Sequence, residues 1–341
     1  MTQIPKVRLR GGLEICRILN GLWQVSGAHG KIDPHQAVQA LEAYVNAGLT
    51  SFDMADIYGP AEEIYGSFYK QLLATKGHEA VKGIQGLTKW IPQPGPMTRK
   101  VVESAIDLSL QRMQVSHLDC LQFHWWDYSD KRYLDALGHL SDLQTEGKIN
   151  ELSLTNFDTE HVVEITNKGI QISSIQLQYS VVDRRPMVKM TEVCEALGIK
   201  LLTYGTLGGG FISEKYLGAK EPKNEDELYT SSLKMYKKAI DTWGGWDLFQ
   251  ELLQVLSSVA KSHNCTIANV ATKYILDMPA VAGIIIGCRM GIPGAEHIQE
   301  NVKSFDVHLT TEDTEMIESV LKKSSDLMQL IGDCGDEYRL K

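Results

Sequence analysis

Short apolar runs alternate with longer runs of helical period from about residue 19 to residue 305. No other feature restricts the fold as much. A short run that is apolar throughout suits a strand buried on both faces. A helix between two such strands carries the chain back to the same edge, so the strands lie parallel with right-handed crossovers. The stretch 34–47 shows the pattern. Asp33 offers a cap, Pro34 suits a first turn, and Val38, Leu41, Tyr44 and Val45 share one face. Gly48 then supplies a left-handed stop before the strand-like run 49–53. The glycine stop recurs at Gly147, Gly169 and Gly198, ahead of strand-like runs at 151–155, 172–179 and 200–204. The last barrel strand is expected at 282–287.

The expected fold is therefore α/β, a single (β/α)8 TIM barrel with long loop insertions at its C-terminal rim. The barrel spans about 19–305, with a C-terminal helix and tail over 306–341. Before it, Val7-Arg8-Leu9 and Leu13-Glu14-Ile15 flank Gly11-Gly12, which reads as an N-terminal hairpin closing the barrel floor. Two segments break the alternation. One is a charged insertion at 214–246 that ends in Trp243-Gly244-Gly245-Trp246, and the other is the tail after a helix starting near Thr311. Long loops in compact folds tend to be functional.

Composition narrows the class. A net charge of -9 lacks the basic character of a general nucleic-acid binder. The chain has no apolar run long enough for a membrane span and no signal-peptide core at its start. The six cysteines form no C-x-x-C pair, which reads as reduced thiols in a cytoplasmic protein. No histidine spacing suggests a metal site. The expected partner is a small molecule rather than a nucleic acid or a membrane.

Chemistry is concentrated at three strand ends. Asp53 and Tyr58 lie in Phe52-Asp53-Met54-Ala55-Asp56-Ile57-Tyr58-Gly59, Lys89 in Gly86-Leu87-Thr88-Lys89-Trp90, and His124 in Leu121-Gln122-Phe123-His124-Trp125. They fall one strand-plus-helix unit apart, so in a barrel they converge on the C-terminal rim. Each has an ordinary explanation in isolation: a packing tyrosine, a solvated lysine, a core histidine. Together they form a carbonyl-reducing set. Hydride addition to a carbonyl leaves an alkoxide that needs a proton, and a phenol with a pKa of about 10 is a poor donor. A lysine beside it favours the phenolate, an aspartate holds the lysine, and a histidine orients the carbonyl. Tyr58 is then the general acid, Lys89 its tuner, Asp53 the partner of Lys89, and His124 the orienter. Asp56 reads as a loop or capping residue.

These motifs resemble the aldo-keto reductase family. The resemblance continues through Gly147-Lys148-Ile149 to Thr155-Asn156-Phe157, Gln176-Leu177-Gln178-Tyr179 with Asp183-Arg184, Tyr204-Gly205-Thr206-Leu207-Gly208-Gly209-Gly210, Ile286-Gly287-Cys288-Arg289 and Glu300-Asn301. No G-x-G-x-x-G or P-loop fingerprint is present. The resemblance instead implies a nicotinamide dinucleotide extended across the barrel rim. Carried over residue by residue, Thr155, Asn156 and Gln176 hold the carboxamide and Tyr204 stacks on the ring. Gly205, Leu207 and Gly210 border the pyrophosphate. Gly21, Trp23, Asp53 and Gly287 line the ribose side, and Arg289, Glu300 and Asn301 the adenosine end. Arg289 favours NADP, as NADPH, over NADH. The twelve-residue step from Arg289 to Asn301 departs from the family spacing, and 290–294 reads as an inserted turn that brings His297 into consideration. Trp23, Trp90 and Trp125 are expected to wall the substrate pocket, with Trp126 beside them. The leading expectation is an NADPH-dependent reductase of aldehydes or ketones. The alternative is a cofactor-sensing regulatory subunit with little turnover.

Overall fold

The computed structural model describes residues 4–27, 33–290 and 297–339. The inserted turn expected at 290–294 lies outside the described residues apart from Met290. Strands β1 (Lys6–Arg8) and β2 (Glu14–Cys16) pair antiparallel as the expected hairpin. Eight parallel strands then close a barrel: β3 (Ile18–Gly21), β4 (Ser51–Asp53), β5 (Gln85–Trp90), β6 (Leu118–Phe123), β7 (Ile149–Thr155), β8 (Ser174–Gln178), β9 (Lys200–Tyr204) and β10 (Val281–Gly287). Closure comes from β10 pairing with both β9 and β3.

The local signals behave as their chemistry requires. Asp33 accepts the His35 N–H at the start of helix Pro34–Asn46, and Leu41 and Tyr44 on its inner face are fully buried. Gly48 takes φ +87 just past the helix end. The strand expected at 49–53 begins only at Ser51, because the Leu49 N–H still bonds back to Tyr44 O of the helix.

The barrel has two apolar regions. Most of the core lies between strands and helices. A smaller cluster joins Leu9 and Ile15 of the hairpin region to Leu19, Leu87, Cys120, Leu202, Ala282 and Ile285. Residues from five strands meet in this way only inside the barrel, so the hairpin plugs its lower end. Glu151 fastens the plug. Its buried carboxylate accepts the N–H of Gly11 at 2.9 Å, the N–H of Leu13 at 3.1 Å, and the Ser173 hydroxyl. Inward positions become polar toward the opposite end, where Gln122, Gln176 and Lys89 follow two residues after Cys120, Ser174 and Leu87.

The 214–246 insertion is more ordered than its sequence suggests. A short turn at Glu214–Tyr216 leads to helix Ser231–Trp243, capped by Thr230, and then to helix Gly245–Ser262. Trp243 and Trp246 are buried core residues, and the Trp246 indole donates to Ala219 O. The tail also has structure. Helix Thr311–Leu321 begins at a reciprocal Thr310–Asp313 cap, and a helical turn follows at Leu327–Leu330. The chain then crosses the barrel mouth. Buried Arg185 ties it down through Asp183, Asp333 O and Glu337. Such a segment carries no periodic signal, because its conformation is set by the groups it lands on.

Replacing Glu151 with alanine removes the acceptor of three donors, of which the Ser173 hydroxyl is buried. We expect Glu151→Ala to lose about 2–4 kcal/mol of stability in urea titration. Amide exchange at Gly11 and Leu13 should accelerate with it. Unchanged stability would mean that packing alone holds the plug.

Candidate active site

The C-terminal ends of β4, β5 and β6 bring the predicted four residues together. Lys89 Nζ lies 2.6 Å from Asp53 Oδ2 and donates to Met54 O at 3.0 Å. Both side chains are buried. Tyr58, in the loop after β4, lies alongside with its ring centre 5.0 Å from Nζ, close enough for the two groups to interact electrostatically. The other carboxylate oxygen of Asp53 accepts the side-chain amides of Gln122 at 2.9 Å and Gln176 at 2.7 Å. Gln176 also donates to Gln122 Oε1 at 2.6 Å. Asp53 therefore has every donor that a buried carboxylate requires.

Burial pushes the Lys89 ammonium down, but Asp53 and Tyr58 more than offset it, so its pKa rises and it stays charged. Burial likewise raises Tyr58, and Lys89 pulls in the opposite direction without reversing it. Lys89 thus offsets part of the cost of taking the phenolate out of water, and at neutral pH Tyr58 keeps its proton. The carboxylate of Asp56 accepts the Ile91 N–H and joins two rim loops, in keeping with its reading as a loop residue. Burial raises its pKa to about 6.

His124 follows β6. Its Nδ1 lies 3.2 Å from Thr155 O, an atom that only accepts, so Nδ1 carries the hydrogen. Nε2 is buried and has no partner among the described residues. Burial, aided by Arg339 and opposed by Thr155 O, lowers the pKa to about 4. The Trp126 ring meets the imidazole edge-on at 4.5 Å. Of the predicted tryptophans, Trp23 contacts Tyr58 at 4.8 Å. Trp90 packs on Phe123 at 5.5 Å. Trp125 is turned away: its ring lies among Phe123 and Tyr133, and its indole donates to Asp127 O and Asp130 O. Trp126 therefore takes the place beside His124 that was expected of Trp125, since adjacent residues leaving a strand face opposite sides.

The residues that the resemblance assigns to a nicotinamide form one patch. Thr155 pairs in register with Gln176, and Gln178 with Tyr204. The Tyr204 hydroxyl donates to Asn156 Oδ1 at 2.9 Å. Gly205, Gly208, Gly209 and Gly210 all have positive φ. Helix Ser231–Trp243 covers one side of this loop, where a side chain at Gly205 or Gly209 would strike Tyr236, while Gly210 faces open space. At the end of the neighbouring strand β10 the Gln24 side chain packs on Gly287, with its buried Oε1 unpartnered among the described residues. Bare backbone, an open edge and an orphaned acceptor fit an extended polar ligand across this rim. Arg289 follows β10 and makes no ion pair among the described residues. His297 pairs with Glu300 at 2.7 Å, and Asn301 lies in helix Ile298–Lys303.

The comparisons agree with this geometry. The profile of the aldo/keto reductase family matches residues 17–322. The chain belongs to the aldo/keto reductase family. This family acts as oxidoreductases on carbonyl compounds and uses nicotinamide cofactors. The chain is 25% identical to the chloroplastic pyridoxal reductase of Arabidopsis thaliana over 85% of its own length and 77% of the relative's. It is 24% identical to Protein tas of Escherichia coli strain K12, over 90% and 94%. Two solved structures share the fold. The glycerol dehydrogenase AKR11B4 of Gluconobacter oxydans has a TM-score of 0.74 at 21% identity, covering 96% of each chain. The thermostable aldo-keto reductase Tm1743, solved with epalrestat, has a TM-score of 0.70 at 22% identity, covering 93% of this chain and all of that one. No described helix is long and apolar enough to cross a membrane.

Sequence reasoning missed four residues at this aldo/keto reductase rim: Gln122, Tyr236, Tyr338 and Arg339. Gln122 was within reach, since it lies two residues before His124 in the same strand and must face the same way. The others come from the insertion and the tail, which carry no strand-end signal.

His124 and Asp56 give opposite pH dependences. The stability that comes from neutral His124 is whole above pH 6.5 and is lost as the pH falls toward about 4. The contribution of protonated Asp56 is whole below its ordinary pKa of 3.8 and is lost as the pH rises through about 6. We therefore expect the stability difference between wild type and His124→Gln to shrink on acidification across the histidine window, by up to about 3 kcal/mol. Thermal unfolding of both proteins across that range measures it, and a constant difference would refute a buried neutral His124.

Proposed function

We propose that this aldo/keto reductase reduces an aldehyde or ketone to an alcohol, with NADPH preferred over NADH. The observation that carries the reading is the buried Lys89, held at 2.6 Å from Asp53 with the Tyr58 ring centre 5.0 Å from its Nζ. The nicotinamide supplies the hydride when bound, and Thr155, Asn156, Gln176 and Tyr204 are the residues that would hold it. Tyr58 donates the proton to the carbonyl oxygen. Lys89 stabilises the phenolate left behind, and the two glutamines fix Asp53 so that the ammonium stays in place. Nε2 of the present His124 tautomer is an acceptor, suited to the hydroxyl of the alcohol. Orienting a carbonyl requires a proton on Nε2, which the ring gains by releasing its long bond to Thr155 O. Trp23 and Trp126 wall the pocket and exclude water, with Trp90 behind them. The regulatory-subunit alternative draws no support from any particular contact.

Tyr58→Phe should lower turnover of a simple aldehyde by roughly 100- to 10,000-fold while cofactor affinity changes little, because only the proton donor is lost. Steady-state kinetics together with cofactor fluorescence titration tests this. Wild-type turnover in the variant would end the assignment.

The preference for NADPH rests on Arg289, whose guanidinium suits an adenosine 2'-phosphate. Arg289→Ala should weaken NADPH binding by about ten- to a hundredfold and NADH binding far less. The difference should narrow in high salt. Equal losses for the two dinucleotides would shift the selectivity to His297, Gln299 and the neighbouring turn.

A further inference from the structure

The described part of the tail that crosses the mouth reaches a cation, Arg339, that has no ion-pair partner among the described residues. Arg339 donates to Trp125 O, Asn156 O and the Tyr128 hydroxyl, and its guanidinium lies over the Tyr128 ring at 4.1 Å. The two carbonyls belong to residues next to His124 and Thr155, which are joined to each other. The guanidinium is thus one residue along the rim from the imidazole. Among the described residues it forms no ion pair. The acidic groups nearby hold other partners at close range, although Asp336 also feels the charge of Arg339. Asp158 holds the His161 ring at 2.7 and 2.9 Å, Asp336 Oδ2 accepts the Asp333 N–H at 2.7 Å, and Glu337 pairs with Arg185 at 2.9 Å.

Asp53 cancels Lys89, whereas Arg339 has no carboxylate of its own within ion-pair distance among the described residues. Its Nε–H is also buried without a partner. A half-buried cation without a counter-ion and a buried orphan donor are both costly. One ligand group answers both, a carboxylate, which brings a negative charge and an acceptor for the Nε–H.

We propose that Arg339 is a specificity-determining residue that receives the carboxylate of the substrate, so that the preferred substrates are carbonyl compounds bearing a carboxylate. The proposal rests on the carbonyl-reductase reading above and refines its substrate class. The carbonyl lies at Tyr58 and His124, and the acid group reaches toward Arg339 on the Trp125–Asn156 side of the rim. Orphan Nε2 of His124 and orphan Nε of Arg339 mark the two ends of the ligand.

The test uses the full chain with NADPH and two substrates of nearly equal shape, 4-carboxybenzaldehyde and the neutral 4-carbamoylbenzaldehyde. Wild type should favour the carboxylate by about ten- to a hundredfold in kcat/KM, mostly through KM. Arg339→Met should bring that ratio close to one, and Arg339→Lys should restore part of it. A tail residue that serves only as a strap would slow both substrates alike and leave the ratio unchanged, which would overturn the proposal. Terephthalate binding, followed by tryptophan fluorescence, gives a readout that needs no turnover, and it should weaken in Arg339→Met by the same factor. If wild type reduces both aldehydes equally, the proposal fails and the reductase reading stands. If wild type reduces no carbonyl compound, the reductase reading fails, and terephthalate binding alone decides whether Arg339 receives anions. A loss of NADPH affinity in Arg339→Met with the substrate ratio intact would assign the cation to the cofactor and overturn the proposal.

Discussion

The Asp53–Lys89 ion pair is the contact on which the rest of the rim depends. Two charges this deeply buried are tolerable only when all their hydrogen-bonding capacity is met, since desolvation otherwise outweighs their attraction. Here Met54 O, Gln122 and Gln176 complete the set, with the Tyr58 ring beside Nζ. Those partners come from β6, β8 and the loop after β4, so the pair also locks the mutual register of the strand ends around it. Tyr58 inherits a fixed position and a fixed neighbour. The donor role proposed for it depends on the polar network underneath more than on any property of its own loop.

The barrel separates stability from chemistry along its axis. Its lower end is filled with Leu19, Leu87, Cys120, Leu202 and Ile285 and is plugged by the hairpin held on Glu151. Its upper end has polar inward positions and is bordered by irregular chain. Parallel strands impose this polarity, because all eight deliver their C-terminal ends, and the loops that follow them, to one rim. Tryptophans in comparable sequence positions divide accordingly. Trp125 and Trp243 pack into the core, whereas Trp23 and Trp126 face the site.

Two segments without counterparts in the strand-helix repeat reshape the rim. Helix Ser231–Trp243 brings Tyr236 against the glycine loop after β9. The tail brings the Tyr338 hydroxyl to 3.0 Å from that of Tyr204 and puts Arg339 over Tyr128. Both segments approach the site from far along the chain. Their own sequences give them little preference for one conformation, so anchors such as Arg185 supply it. In this family member the catalytic set is carried by the repeat, and the walls of the pocket by what interrupts it.

The sequence by itself determined the barrel, the order of its strands and the convergence of Asp53, Tyr58, Lys89 and His124. Each of these follows from local periodicity, caps and glycine stops, and parallel topology then fixes where strand ends must meet. Only the tertiary structure decided which side chains complete and balance that set. Whether Gln122 meets Asp53, whether Trp125 or Trp126 faces His124, and whether burial or Lys89 governs Tyr58 depend on distances between strands and on water excluded by distant chain. The tail is the clearest case. Nothing in Asp336-Glu337-Tyr338-Arg339 points to Asn156 or Tyr204, because the groups that define its path lie more than a hundred residues away and become neighbours only when the barrel closes.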